Sequence, residues 1–325
     1  MPAPKPAIPN PAATLPGEAD ILANVVANLA DDHAKLVYAD WLEDRDDPRG
    51  PLLRNFVTAY RAGKKLPAVK SAPQPWRDLV GITLIEQARP ALARHTDTFL
   101  RLARPASTFE ATQEPGANLE VGASKLGGLP DMPAEVEWPV WTRGTLAFLA
   151  QFNLTDLVPS VACRELPAEG LLSVFYDSEG EVFEPSDIGG WRVFHFPDVL
   201  RLARREPPRG LAEAARFRSA GLTFTETLTL PCGYSPWDEE LALGDGRDAY
   251  GELLEPGMGH RLLGYAHPCQ NDVYGQKGIR HLLTIDSDDA PGWMWGDAGL
   301  LYFTMAEADL QQHKFDRVRM EMQCG

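Results

Sequence analysis

Cysteine is scarce here: Cys163, Cys232, Cys269 and Cys324 are the four in 325 residues, and no two form a C-x-x-C pair. That argues against a finger-type metal site and suits a reduced compartment better than a disulfide framework. Long apolar runs are missing as well, and none approaches the ~20 residues that span a bilayer. Residues 1–17 carry one Lys and repeated Pro but no apolar core segment, so they do not read as a signal peptide. Their alternating Pro and Ala predict an extended, solvated arm. A G-x-S-x-G elbow, an H-E-x-x-H helix and a G-x-x-x-x-G-K phosphate loop are all absent. The expectation is a cytoplasmic protein with no cofactor and no catalytic set recognisable by motif.

Basic residues are short in one part of the chain only. Residues 18–104 hold 12 Asp/Glu against 13 Lys/Arg, whereas residues 105–325 hold 34 against 17. The net charge of −15 therefore resides after residue 104. Such a field repels nucleic acid and anionic membrane and favours a basic protein partner. An acidic surface that merely keeps the protein soluble is the plain alternative.

What is present begins with helices. Ile21, Leu22, Val25, Val26 and Leu29 recur at helical spacing, and Asp31 or Asp32 can cap a second helix with Leu36, Val37, Trp41 and Leu42 on one face. Asp47 followed by Pro48 opens a third, burying Leu52, Leu53, Phe56 and Tyr60. The stretch Leu36–Gly50, LVYADWLEDRDDPRG, makes residues 18–62 resemble the short repeat-companion domain found beside other modules in some large-genome bacteria. That resemblance implies no activity. Tyr38, Asp40, Trp41 and Glu43 within it are explained by helical spacing, with Trp41 in the core and the acids on a solvated face.

Residues 63–76, rich in Lys, Pro and Ala, read as a linker, and residues 77–106 as connecting helices broken near Pro90. From residue 107 onward the pattern turns to short strands at 145–152, 170–176, 191–196, 221–229, 261–266, 280–286 and 299–305. Helical stretches are few: 197–204, 210–217 and 306–312. The fold class expected is α+β, with a small N-terminal helical domain and a β-rich, mainly antiparallel domain over 107–325.

Two blocks suggest an internal duplication. In one, the strand at 144–157 carries Gln151 and Asn153 and leads to Gly170-LLSVFY; in the other, the strand at 280–286 carries Thr284 and Asp286 and leads to Gly299-LLYFTM. With Lys125-LGGLPDMPAEVEWP and Ile285-DSDDAPGWMWGDAGLLYF, these blocks resemble the YwqG-like family, a bacterial domain of unknown function. The resemblance implies a duplicated, β-rich α+β fold and no assigned reaction. Members stand near toxin and immunity genes or fused to other modules, which implies protein binding.

Several chemistries merit weighing. Asp286, Asp288, Asp289 and Asp297 offer hard oxygen ligands for Ca²⁺ or Mg²⁺, without the offsets of an EF-hand loop. The plain reading makes Asp286 and Asp297 turn caps. His267 and Cys269 with Cys232 or Cys163 lack zinc spacing, and Cys269 with His281 or His195 has no local motif as a nucleophilic pair. Trp293 and Trp295 alternate around Met294 and so share one face, expected to be the core. Trp237, within the acidic and Gly-rich Ser235–Asp248, is the better candidate for exposure on a functional loop.

The leading expectation is a non-enzymatic binding protein, an immunity factor or inhibitor. Its candidate contact residues are Trp237, Asp238, Glu239, Glu240, Asp245 and Asp248. One alternative is a metal-assisted hydrolase built on Asp286, Asp288, Asp289 and Asp297; another is an adaptor docking through the N-terminal helices. Sequence leaves the oligomeric state open.

Overall fold

The computed structural model describes residues 12–112, 119–178, 182–232, 235–254 and 257–325. Six helices come first: α1 (Glu18–Ala27), α2 (Asp32–Glu43), α3 (Arg49–Arg61), α4 (Gln74–Leu79), α5 (Ile82–Leu92) and α6 (Thr96–Leu102). The chain divides into two compact units, and the division is not the linear one expected. The helical unit comprises 1–107 together with 159–162 and 225–257; the sheet unit comprises 108–158, 163–224 and 258–325.

Asp31 caps α2 by accepting from the His33 N–H at 2.8 Å. The face α2 buries is rotated from the expected one: Lys35, Tyr38, Ala39 and Leu42 are interior, whereas Val37 is 42% exposed. Trp41 is only partly buried and lies beneath the Arg45 guanidinium at 3.7 Å. The reason is tertiary. Tyr38 donates its hydroxyl to Glu18 Oε1, and Trp76 Nε1 donates to the Tyr38 oxygen at 3.0 Å. Arg49 reaches Glu18 from the other side at 2.7 Å and Asp47 at 2.7 Å. Thr14 and Leu15 add backbone N–H donors to Glu18 Oε2, and Arg49 also donates to the Ala12 carbonyl at 3.1 Å. The stretch Leu36–Gly50 is thus a folding device: Tyr38 and Arg49 enclose the buried Glu18 carboxylate, Asp47 holds Arg49 in place, and Asp40 and Glu43 both pair with Arg54.

Two expected flexible segments join this core instead. Residues 12–17 are not a solvated arm, since Ala12 is fully buried and Ala13 and Leu15 pack against the cluster; residues 1–11 lie outside the described residues. Nor is 63–76 a free linker, because Val69, Ala72 and Trp76 are interior. Each large apolar side chain so buried contributes about 1.5–3 kcal/mol. The break expected near Pro90 falls after Leu92, where a single 3₁₀ turn, Ala93–His95, separates α5 from α6.

Gly50 permits the closest approach of α2 and α3. A Cβ there would stand 2.7 Å from the Ala39 carbonyl oxygen and 2.9 Å from the Glu43 nitrogen, both backbone atoms that cannot yield. Gly→Ala within a helix normally stabilises; here we expect Gly50→Ala to destabilise by about 1–3 kcal/mol, as overpacking does. Urea unfolding checks it, and an unchanged or raised midpoint would contradict this packing.

The strands, in chain order, are β1 (Arg104–Ala111), β2 (Lys125–Leu126), β3 (Asp131–Pro133), β4 (Val140–Trp141), β5 (Gly144–Thr145), β6 (Ala147–Asn153), β7 (Leu171–Tyr176), β8 (Trp191–Phe196), β9 (Leu202–Arg204), β10 (Ala220–Thr229), β11 (Arg261–Leu262), β12 (Ile279–Asp286), β13 (Leu300–Ala306) and β14 (Arg319–Gln323). Ten form one sheet in the order β14-β13-β12-β11-β1-β10-β2-β6-β7-β8. Antiparallel three-strand meanders, β6-β7-β8 and β12-β13-β14, occupy its two ends. The ends approach each other, leaving the sheet nearly closed: Trp191 Nε1 donates to the Val318 carbonyl at 2.7 Å, and the Met322 N–H to the Phe183 carbonyl at 2.9 Å. Closure covers edges that would otherwise template aggregation.

β7 and β13 are buried along nearly their whole length, which is why Leu171-LSVFY and Leu300-LYFTM read as unbroken apolar runs. The run at 261–266 yields only the two-residue β11, because Leu263 (φ +58) and Gly264 (φ +69) turn the chain away. The helix expected at 197–204 is a 3₁₀ turn followed by β9, and that at 210–217 is the turn Glu213–Ala215. A helix does follow β13, at Glu307–Gln311, preceded by Ala306 with no side-chain cap. The mixed α+β class holds.

Candidate functional site

The terminal block places its polar side chains on its own backbone. Asp288 Oδ1 accepts from the Ala290 N–H at 2.7 Å, and Asp288 Oδ2 lies 3.0 Å from His260 Nε2. His260 Nδ1 accepts from the Asp286 N–H at 3.0 Å, so Nε2 carries the ring proton toward Asp288. Burial pushes the Asp288 carboxyl up, but the His260 and Ala290 hydrogen bonds outweigh it and hold it low; burial leaves Asp286 raised. Arg218 clamps the same turn through the carbonyls of Asp289 and Ala290. The Asp289 and Asp297 side chains are exposed. Among the described residues, no group of three or more His, Cys, Asp or Glu side chains is arranged to hold a metal ion. Asp288 therefore caps a turn, where the plain reading names Asp286 and Asp297.

The postulated nucleophilic pairs are not assembled. His281 is wholly buried, its Nδ1 bonded to the Leu263 carbonyl at 2.9 Å and its Nε2 to Thr284 Oγ1 at 2.7 Å. Burial lowers its pKa to about 3. His195 Nε2 contacts the Glu169 carbonyl at 3.0 Å. Burial raises the Cys269 thiol, whose side-chain hydrogen bond is with Tyr302. Trp293 and Trp295 are buried and stacked, their centroids 5.3 Å apart, while Met294 is 66% exposed, in keeping with the period-two reading.

A buried charge centre lies at β3, inside the Lys125-LGGLPDMPAEVEWP block. Asp131 is fully buried and accepts from the Gly122 N–H at 2.9 Å, Lys125 Nζ at 3.2 Å, Gln151 Nε2 at 2.7 Å and Arg204 Nε at 3.0 Å. Burial favours protonation of Asp131, yet the hydrogen bonds from Arg204 and Gln151 prevail and keep it below the usual carboxylate range. Burial brings the Lys125 amine down to about 8 against the pull of Asp131. The second cation, Arg204, secures the Asp131 charge even where Lys125 is poorly stabilised. Gln151 and Asn153, the polar pair of the first block, hold the preceding turn: Gln151 Nε2 donates to the Ala123 carbonyl and Asn153 Nδ2 to the Gly122 carbonyl, at 2.8 and 2.9 Å. The sequence signal was the Lys125–Asp131 spacing inside KLGGLPD.

The acidic segment departs most from expectation. Residues 235–254 are not a loop but two short helices, Asp238–Leu241 and Arg247–Leu254, joined by a 3₁₀ turn. They belong to the helical unit. Trp237 is buried (5% exposed), with the Arg104 guanidinium 5.5 Å from its ring, so its predicted exposure is overturned. The missed signal was helical spacing, for Trp237, Leu241, Leu243 and Tyr250 all face the core. Outside, Glu239, Glu240, Asp245 and Asp248 are exposed, while Asp238 is half-buried and meets Arg247 at 3.4 Å. Residues 225–257 carry eight acids and one base, so much of the acidic excess assigned to the β-rich part belongs to the helical unit.

Residues 124–324 match the family described as Domain of unknown function (DUF1963). The match covers well over half of the chain, which therefore belongs to that family. No curated protein matches it.

Proposed function

We propose that the protein is a cytoplasmic, non-enzymatic binding module that engages a basic protein partner, as an inhibitor or immunity factor does. The observation that carries the proposal is the four exposed carboxylates Glu239, Glu240, Asp245 and Asp248, set on two short helices and the turn between them, whose apolar residues are fixed in a core. A pre-ordered acidic face gains charge complementarity without ordering a loop on association. We expect the Glu239→Gln, Glu240→Gln, Asp245→Asn, Asp248→Asn variant to bind an oligolysine peptide about tenfold more weakly, roughly 1.4 kcal/mol. Calorimetry at two salt concentrations measures it, and equal affinity for variant and parent would remove the proposal.

A YwqG-like kinship with internal duplication fits the same picture. Register offers the support: Lys125 pairs with Gln151 as Arg261 pairs with Thr284. β6 and β12 each carry an irregularity one residue before the strand position that faces β2 or β11. Gly127 and Gly128 turn left-handed where Leu263 and Gly264 do. An adaptor role for the N-terminal helices, in the manner of a repeat-companion domain, is better tested by surface substitution than by deleting residues 1–104. That deletion would strip the core from 225–257.

A further inference from the structure

Beside the last strand lies a cleft of about 420 Å³ lined by Phe183, Glu184, Pro185, Gln270, Asn271, Glu321, Met322, Gln323 and Cys324. Its walls are preformed, and β14 fixes both. On one side the Met322 N–H holds the Phe183 carbonyl at 2.9 Å. On the other, buried Gln323 accepts from the Gln270 and Asn271 N–H groups at 2.9 and 3.3 Å and donates to the Asn271 carbonyl at 2.9 Å. Glu321 sits half-buried on the floor, one oxygen accepting from Gln323 Nε2 at 2.6 Å. Glu184 stands exposed on the rim, and the Phe183 ring is 42% exposed.

We propose that this cleft receives one cationic side chain of the partner, an arginine whose guanidinium meets Glu321 and Glu184 while its stem and plane lie against Phe183 and Pro185. The volume accommodates one long side chain and its flanking backbone. A planar guanidinium suits a site that combines a carboxylate, carboxamide acceptors and an aromatic ring better than a compact ammonium does. Burial raises the Glu321 carboxyl against the opposing Gln323 hydrogen bond and Arg319, with Asp272 and Glu184 adding to the rise, so an incoming cation relieves an unfavourable charge. The inference rests on a basic partner as the ligand, but it places a contact on the sheet unit, apart from the acidic helices.

The half-buried thiol of Cys324 supplies a local reporter, with half-buried Cys232, in the helical unit, as internal control. Alkylation of the full-length protein by iodoacetamide, followed at each cysteine by peptide mass mapping, is repeated with N-acetyl-arginine amide or its neutral counterpart, N-acetyl-norleucine amide. We expect the arginine amide to slow alkylation of Cys324 at least threefold with Cys232 unaffected, the norleucine amide to do nothing, and Glu321→Gln to abolish protection. Gln at 321 keeps the acceptor for Gln323, and Glu184→Gln, on the rim, offers a second variant with no buried partner to lose. Equal protection by both amides, equal slowing of both thiols, no protection, or full protection in both variants would each overturn the cleft assignment. The quadruple variant on the acidic helices should keep Cys324 protection. Loss of oligolysine binding with protection intact, or the reverse, therefore separates the two proposals.

Discussion

Arg49→Ala is expected to destabilise the protein by about 3–5 kcal/mol, the cost of removing one partner from a buried ion pair. Glu18, fully buried, would lose the two guanidinium contacts at 2.7 and 3.1 Å, and Asp47 would lose its fork. Arg49 is itself only 5% exposed, so solvent does little to screen the loss. Lys at position 49 keeps the charge but cannot bridge Glu18 and Asp47 together, and should recover only part of the stability. Urea unfolding followed by circular dichroism gives the total. Hydrogen exchange at α1–α3 amides locates it, and loss of protection elsewhere but not there would refute the assignment. A change below about 1 kcal/mol would show that Glu18 finds another partner.

The second large effect concerns Asp131→Ala. It would strand Lys125, 1% exposed, and remove the acceptor for Arg204, Gln151 and the Gly122 N–H. We expect a loss of about 3–5 kcal/mol, with Lys125→Met in the same chain restoring a substantial part because no buried ammonium then remains. If the double variant is no more stable than Asp131→Ala alone, the Lys125–Asp131 contact is not what stabilises the centre. Acid gives an independent reading. Asp131 is held below its ordinary value of 3.8, so its contribution is fully present above that pH and lost as the pH falls through the lower folded value. Asp47, depressed chiefly by the Arg49 hydrogen bond, acts in the same direction. Stability measured from pH 5 downward should therefore fall less steeply in Asp131→Asn than in the parent. Equal slopes would dissociate the centre from acid unfolding.

Strands and helices were legible wherever one side chain pattern ran unbroken. Trp191–Phe196 emerged at its predicted limits, and β6, β7, β12 and β13 within two residues, because an apolar run in a two-sided sheet core needs no partner to be recognised. The Asp31 cap was visible for a similar reason, as its acceptor sits two residues from the donor. The candidate site was harder. Glu239, Glu240, Asp245 and Asp248 are exposed as expected, but Trp237 among them is interior. Its burial depends on residues far away in sequence, Arg104 among them.

The chain by itself determined its α+β class, its family and its excess of acid, since these follow from local periodicity, motif order and composition. Only the tertiary structure decided that residues 225–257 return to the helical unit, that Asp131 and Glu18 are buried charge centres, and that β14 floors a cleft. Each depends on residues far apart in the chain, and for the charge centres the physical reason is plain. A buried carboxylate is tolerable only when its cations and donors are assembled around it, and those of Glu18 and Asp131 lie up to 31 and 73 residues away.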